Sequence, residues 1–173
     1  KVIINTGRGL SHISKKILNA IEWDGIIAGT GYVRFNGDTV CNESLPTETV
    51  RKLYNFCKER NAVGIFEGVY TIYTSVPYPV TEVLLTDENI DDTHDVTCVT
   101  VLTHIDEEEA KKLFPEVTTV IMPRYFEGNP KGFSKATGMK LIGEKYGIGQ
   151  TVAPCVRDAV IDSTMPKQWN IGT

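Results

Sequence analysis

The apolar residues of the first thirty positions predict a strand, a helix and a second strand. Val2, Ile3 and Ile4 form a β-branched run, and apolar residues then recur at helical spacing between residues 10 and 21. Residues 24–28, DGIIA, form a second apolar run. A strand, a helix and a strand in this order are typical of a parallel α/β sheet. We therefore expect the chain to open with a parallel sheet.

The next pattern predicts an antiparallel hairpin followed by a mixed region. Asn36-Gly37 stands between two strand-like runs, which is a strong hairpin signal. A helix is predicted from Pro46 to just before Asn61. Further strands are predicted at 62–66, 69–74, 96–102 and 117–122, and helices at 106–114, short and charged, and at 134–146. Residues 75–95 are predicted as a loop with room for one short helix. The middle of the chain is therefore predicted to be α+β, unlike the two ends of the chain.

Composition and charge exclude several classes of function. The chain has 173 residues, a net charge of −4 and 41% hydrophobic residues, which is typical of a soluble globular protein. No apolar run approaches the roughly 18 residues that span a bilayer, and the first residues lack a signal-peptide pattern. Lys and Arg are not clustered, so the chain lacks the positive patch that binds nucleic acid. We expect a cytoplasmic protein with neither a membrane nor a nucleic-acid partner. Its oligomeric state is not indicated.

Cysteine and histidine positions give no sign of a metal site or a disulfide framework. The four cysteines are scattered singly along the chain: Cys41, Cys57, Cys98 and Cys155. Such spacing predicts buried thiols. The three histidines also lack metal-ligand spacing: His12, His94 and His104. No serine-centred nucleophile elbow and no Walker-type loop occurs.

The segment Thr6-Gly7-Arg8-Gly9 directly follows the first predicted strand. Ligands of open α/β sheets bind beyond the carboxyl ends of the strands, where helix N-termini favour anions. Thr6 offers a hydroxyl group, Gly7 lets a ligand approach the backbone, and Arg8 carries a forked cation that suits phosphate. On this pattern alone, a phosphate loop and a plain turn with a solvated arginine are equally open.

A second candidate is Lys135, in the segment PKGFSKATGMKLI. Ser134 is the predicted N-cap of a helix, which puts Lys135 in the first turn. The helix dipole disfavours a cation there, so a nearby anion would stabilise this lysine. Taken alone, a side chain that reaches solvent is the stronger interpretation.

Four segments resemble, in order and spacing, the Cof-type sugar-phosphatase branch of the haloacid dehalogenase (HAD) superfamily. They are VIINTGRGLSHISKKI, DGIIAGTGYV, NGDTVCNESLPTETVRKLYNFCKERN and PKGFSKATGMKLIGEKYGI. The similarity covers most of residues 1–60 and 123–148 and is weak in residues 75–122. The resemblance implies Mg²⁺-dependent hydrolysis of small phosphorylated metabolites, such as sugar phosphates, through an aspartyl-phosphate. It also implies an α/β fold, with a Rossmann-like core of parallel sheet at 1–44 and 127–173 and an inserted α+β cap at 45–126.

The same resemblance assigns roles to the two candidate segments. Thr6 falls on the family motif whose hydroxyl group bonds the transferring phosphoryl group. Lys135 falls on the motif whose ammonium group neutralises the nucleophile and the phosphate. Gly7 and Arg8 flank the phosphate loop. Thr6 and Lys135 are thus the implied catalytic residues, and all four are the implied phosphate-binding residues. A phosphate would supply the anion that Lys135 lacks.

Two family motifs are absent from this sequence. No Asp-x-Asp pair follows a strand, and no Gly-Asp-Gly-x-x-Asp block occurs, so the nucleophile and the Mg²⁺ ligands are missing. Thr30-Gly31 also stands where the family usually has Asn-Gly. The sequence is either an incomplete record of a longer phosphatase or a degenerate relative that binds phosphate ligands without catalysis. The first is favoured, because a buried parallel strand at residue 1 needs a neighbour on its other side.

Overall fold

The structure, a computed structural model, describes residues 1–147, which form two β-sheets with helices packed on them. The first sheet has four strands in the order β1-β2-β3-β4: β1 (Ile3–Asn5), β2 (Gly25–Ala28), β3 (Tyr32–Phe35) and β4 (Asp38–Asn42). β1 and β2 are parallel, and the other pairs are antiparallel. Asn36 and Gly37 form the predicted hairpin turn, with φ values of 51° and 87°. The predicted α/β class is confirmed.

The connection between β1 and β2 is less helical than predicted. A 3₁₀ turn at Leu10–His12 is followed by extended backbone at Ile13 and by a four-residue helix, α1 (Lys15–Leu18). The break occurs because Ser14 caps a new helix, its side chain accepting a hydrogen bond from the amide of Lys16. The single helix predicted from the apolar spacing of residues 10–21 was therefore wrong.

The second sheet has six strands in the order β7-β6-β5-β8-β10-β9. Their bounds are β5 (Val63–Gly68), β6 (Ile72–Thr74), β7 (Val83–Leu84), β8 (Val96–Leu102), β9 (Val117–Ile121) and β10 (Phe126–Pro130). Helices α2 (Thr47–Arg60) and α3 (Glu107–Leu113) complete this unit. β7 and a 3₁₀ turn at Ile90–Asp92 lie in the segment predicted as loop. β10 was not predicted, because Gly, Asn and Pro are rare in strands.

The predicted boundary between residues 126 and 127 falls inside β10. This strand pairs with β8 on one side and with β9 on the other, so residues 127–130 hydrogen-bond within the six-stranded sheet. Helix α4 (Lys135–Tyr146) follows and packs on the four-stranded sheet. The division into a core at 1–44 and 127–173 and a cap at 45–126 stays a prediction, and residues 148–173 lie outside the described residues.

Three aromatic rings form the centre of the larger hydrophobic core. Phe126 contacts Phe56, at a centroid distance of 5.9 Å, and Phe114, at 6.0 Å, and the last two rings are 5.5 Å apart. Phe56 comes from α2 and Phe114 directly follows α3, so the cluster ties both helices to β10. Among residues 1–147 no helix combines the length and apolar character needed to cross a membrane.

Helix α4 approaches the four-stranded sheet closely. Ile142 packs against Ile27 and Phe35, and the hydroxyl group of Tyr146 donates to the carbonyl oxygen of Phe35 at 3.3 Å. A Cβ atom at Gly138 would lie 2.7 Å from Cγ2 of Ile27. Gly138 is therefore required for this close helix-to-sheet contact.

Replacing Gly138 with alanine is expected to destabilise the protein. Alanine in a free helix would gain about 1 kcal/mol over glycine. Here the added methyl group meets Ile27, and overpacking costs about 1–3 kcal/mol. Urea denaturation measures the change, and Lys140→Ala on the exposed side of α4 is the matched control, with an effect within about 0.5 kcal/mol. A more stable Gly138→Ala variant would contradict this packing.

Candidate functional site

The loops after β1 and β2 lie side by side because the two strands are parallel. The amide of Thr6 donates to the carbonyl oxygen of Ile27 at 2.9 Å, which extends the pairing one residue beyond β1. The amide of Gly29 donates to the carbonyl oxygen of Arg8 at 2.7 Å. The backbone of the predicted phosphate loop is thus fixed to the end of the neighbouring strand.

Within the loop, Thr6 and Arg8 form a short turn. The hydroxyl oxygen of Thr6 accepts a hydrogen bond from the amide of Arg8 at 3.2 Å. This bond uses an oxygen lone pair, so it does not commit the hydroxyl proton. Arg8 is exposed, whereas Thr6 and Gly7 are half-buried. The turn therefore presents one hydroxyl donor and one guanidinium group at the surface of the sheet edge.

Lys135 lies next to this loop although 130 residues separate it from Asn5 in the sequence. The Asn5 side-chain amide donates to the carbonyl oxygen of Lys135 at 3.3 Å. A Cβ atom at Gly7 would lie 3.8 Å from Cε of Lys135. Lys135 begins α4, and its predicted N-cap is confirmed, with the Ser134 hydroxyl accepting from the amide of Thr137. The structure thus brings the two candidate segments together, and their role in phosphate binding stays a prediction.

A carboxylate also reaches this place. The same Cβ position at Gly7 would lie 3.9 Å from Oε2 of Glu127, which comes from β10 of the six-stranded sheet. The absence of a side chain at Gly7 therefore leaves room where a cation from α4 and an anion from β10 converge.

The described residues do not fit a Mg²⁺ site. Across residues 1–147, no three His, Cys, Asp or Glu side chains are grouped so that they could hold a metal ion. Mg²⁺ is usually held by carboxylates together with water and substrate phosphate oxygens. We therefore derive no chemical step through a metal from these residues.

The loop after β2 is strained and is held by the six-stranded sheet. Thr30 has a φ of 55°, an unusual value for a β-branched residue. Its buried hydroxyl group donates to Oδ1 of Asn129 on β10 at 3.2 Å. This hydrogen bond joins the loop after β2 to the six-stranded sheet. The loop carries Thr30-Gly31, where the family resemblance leads us to expect Asn-Gly.

Glu67 is a residue of this region that sequence reasoning missed. It lies in β5 and is only 4% exposed. The amide of Gly9 donates to its Oε2 at 2.6 Å, and Nδ1 of His12 lies 3.0 Å from its Oε1. The available signal was an acidic residue inside an otherwise apolar run, VGIFEGV, because ionised residues are seldom fully buried without a partner.

The prediction of buried thiols is confirmed for two of the three cysteines that the structure describes, Cys57 and Cys98. Cys57 and Cys98 are buried, Cys41 is half-buried, and all three are free thiols. Cys155 lies outside the described residues. Burial raises the pKa of the Cys57 thiol to about 12 and raises that of Cys98 well above its usual range.

Cys57 is therefore expected to resist alkylation in the folded protein. A pKa near 12 leaves roughly one molecule in ten thousand as the reactive thiolate at pH 8, and burial also blocks access. Peptide mass spectrometry after iodoacetamide treatment measures this, with half-buried Cys41 as the internal control. Labelling of Cys57 should appear only under denaturing conditions. Equal labelling of Cys57 and Cys41 in the folded protein would contradict the burial.

Comparisons with known proteins agree on one family. A family model described as haloacid dehalogenase-like hydrolase matches residues 1–172. A hypothetical protein from Geobacillus kaustophilus is similar in structure, with a TM-score of 0.68 and 21% identity over 87% of this chain and 63% of that one. A HAD superfamily phosphatase from Bacteroides thetaiotaomicron has a TM-score of 0.66 and 22% identity, over 86% of this chain and 60% of that one. A HAD subclass IIB sugar phosphatase has a TM-score of 0.67 and 21% identity, over 86% of this chain and 64% of that one.

These matches concern part of each relative. The chain spans about three fifths of the length of the three solved structures, and no curated protein sequence matches it. At this level of identity the solved structures establish the fold, whereas the family model covers nearly the whole sequence. The resemblance to the HAD superfamily is thus confirmed. This chain belongs to the haloacid dehalogenase-like hydrolases.

Proposed function

We propose that the protein is a phosphatase that hydrolyses monoesters of small phosphorylated metabolites, such as sugar phosphates. The observation that supports this most is the position of Lys135 beside the loop at the carboxyl end of β1: its carbonyl oxygen accepts from the Asn5 side-chain amide, and its Cε lies 3.8 Å from where a Cβ atom at Gly7 would be. Membership of a hydrolase family and likeness to a structure named as a sugar phosphatase support the same reaction class. The carboxyl ends of parallel strands are also where α/β proteins bind their ligands.

The chain's own residues would hold and neutralise the phosphoryl group. The Lys135 ammonium group offsets its negative charge, and the Thr6 hydroxyl donates a hydrogen bond to one of its oxygens. The Arg8 guanidinium group suits a second oxygen, and Gly7 lets the backbone approach closely. Such fixed donors stabilise the charge that develops on a transferring phosphoryl group. By resemblance, the aspartate nucleophile and Mg²⁺ belong to the whole phosphatase, and we assign neither to a residue of this sequence.

A second candidate is a binding or regulatory protein that uses the same residues without catalysis. Within residues 1–147, the lack of any side-chain group that could hold a metal favours it. Both candidates predict that phosphate binds near Lys135, and they differ only in turnover. For either one we propose a cytoplasmic location. The three cysteines within residues 1–147 are free thiols, which favours it because disulfides are rare in that compartment.

Turnover and thermal protection separate the two candidates. The full chain is assayed with p-nitrophenyl phosphate in the presence of Mg²⁺ and, as a control, of EDTA. Its melting temperature is measured in parallel with inorganic phosphate or vanadate, because a ligand at 100 times its Kd stabilises the folded state by about 2.7 kcal/mol. Mg²⁺-dependent turnover supports the phosphatase, and protection without turnover supports the binding protein. Neither turnover nor protection would contradict both.

A further inference from the structure

Glu67 is a buried acidic residue that has no role in the proposed function. It lies on β5 beside fully buried Phe66. Burial of an ionised carboxylate costs several kcal/mol unless hydrogen bonds and charges compensate for it. A carboxylate in this position therefore indicates specific partners.

Those partners belong to the loop that carries the predicted phosphate-binding residues. Oε2 of Glu67 accepts a hydrogen bond from the amide of Gly9 at 2.6 Å, and Oε1 lies 3.0 Å from Nδ1 of His12. The hydroxyl group of Ser11 donates to the carbonyl oxygen of Gly68 at 2.7 Å. Three contacts thus join the end of β5 to the segment directly after Arg8.

The fit between this loop and β5 is close. A Cβ atom at Gly9 would lie 2.5 Å from Cβ of Glu67, so only glycine lets the amide reach the carboxylate. On the other side, the hydroxyl group of Thr97 donates to the carbonyl oxygen of Glu67 at 3.3 Å. A Cβ atom at Gly29 would lie 2.2 Å from that same hydroxyl oxygen. Glu67 is therefore held where the loops after β1 and β2 both touch the six-stranded sheet.

We propose that Glu67 is a positioning residue for the phosphate loop. Its carboxylate holds the amide of Gly9 and so fixes the orientation of the backbone from Thr6 to Arg8. The anion site is then fully formed only while the six-stranded sheet is docked on the four-stranded one. This inference rests on the proposed function, since it concerns how well the same loop binds phosphate.

The hydrogen-bond acceptor, and not the negative charge, performs this task. A side-chain oxygen that accepts from a backbone amide fixes the direction of that N–H, which suits a loop whose donors must be aimed at a ligand. The negative charge of Glu67 itself does not favour a nearby phosphate. A side chain of the same size with a neutral acceptor should therefore preserve binding, whereas one without an acceptor should not.

Two substitutions of similar volume test this in the full chain. Glu67→Gln keeps an acceptor for the amide of Gly9, and Glu67→Met removes it while filling the same space. Thr97→Val is the matched control, because it removes a contact to Glu67 but leaves the carboxylate in place. Vanadate affinity is measured by titration calorimetry, and the free energy of unfolding is measured for each variant.

The expected result separates positioning from simple support of the fold. Glu67→Met should weaken vanadate binding by about tenfold, because the buried amide of Gly9 is left without the acceptor that orients it. Glu67→Gln and Thr97→Val should stay within about threefold of the unaltered protein. Equal affinity in Glu67→Met, or equal weakening in Glu67→Gln, would overturn the proposal even if unfolding free energies changed.

Hydrogen exchange gives a readout that does not need a ligand. In Glu67→Met the amides of residues 7–9 should exchange at least about tenfold faster than in the unaltered protein, and Glu67→Gln should restore protection. Unchanged exchange would overturn the role of Glu67. If the unaltered protein binds no vanadate, the proposed function fails, and the exchange rates still decide whether Glu67 holds the loop.

Discussion

Alanine in place of Lys135 is expected to remove most of the protein's affinity for phosphate and vanadate. The ammonium group of this lysine is carried on a Cε atom that lies 3.8 Å from where a Cβ atom at Gly7 would be. Loss of a charged hydrogen bond to the anion weakens binding by about 1.5–3 kcal/mol, or roughly 10- to 100-fold. If the protein is a phosphatase, turnover of p-nitrophenyl phosphate should fall by at least about a hundredfold.

The matched control for this substitution is on the same helix. Lys140→Ala removes a lysine whose side chain is 68% exposed and lies 3.6 Å from Glu144. It should leave both anion affinity and turnover unchanged. Calorimetric titration with vanadate measures the affinities. If Lys135→Ala bound vanadate as tightly as Lys140→Ala, Lys135 would not be part of the anion site.

Alanine in place of Phe126 is expected to cause the largest loss of stability. The side chain is fully buried and contacts the rings of Phe56 and Phe114. Its removal leaves a cavity, and substitutions of this kind cost about 3–5 kcal/mol. Urea denaturation measures the loss, and Val120→Ala, on the neighbouring strand and 41% exposed, should cost less than about 1 kcal/mol.

The Phe126 substitution also has a consequence at the site. Residues 127 and 129 of the same strand lie beside the loops after β1 and β2. Loosening of β10 should therefore weaken vanadate binding as well as lower the free energy of unfolding. A cost below about 1 kcal/mol would contradict the role of the three-ring cluster as the centre of this core.

Local signals in the sequence explain why some elements could be predicted. The run at Val2–Ile4, the glycine of Asn36-Gly37 and the apolar face of the helix that follows Pro46 each act over a few residues. A strand, a turn and a helix therefore form where the pattern predicts them. The N-cap at Ser134 is of the same kind, because its hydroxyl group needs only an amide three residues away.

Other features depend on contacts between distant residues. β10 contains Gly128 and Pro130 and has little strand character of its own, yet it pairs on both sides once β8 and β9 are in place. The bond from Gly9 to Glu67 joins residues 58 positions apart, and no local pattern predicts it.

The candidate site shows the same division between local features, which the sequence predicts, and contacts between distant residues, which it does not. Thr6, Gly7 and Arg8 are neighbours in the sequence, so their proximity needed no structure. The approach of Lys135 was implied only by the family resemblance, and the structure places the Lys135 side chain beside Gly7. The residues of the six-stranded sheet that touch these loops, Glu67, Glu127 and Asn129, were missed because their strands were interpreted as ordinary apolar or irregular segments.

Nuclear magnetic resonance of the ¹⁵N-labelled full chain tests the central claim most directly. Inorganic phosphate is titrated into the protein, and the amide signals of residues 6–9 and 134–137 are followed. We predict saturable shifts at both segments with one common affinity, and their loss in Lys135→Ala. No shift at these amides, or shifts confined to other parts of the chain, would contradict the assignment of the phosphate site.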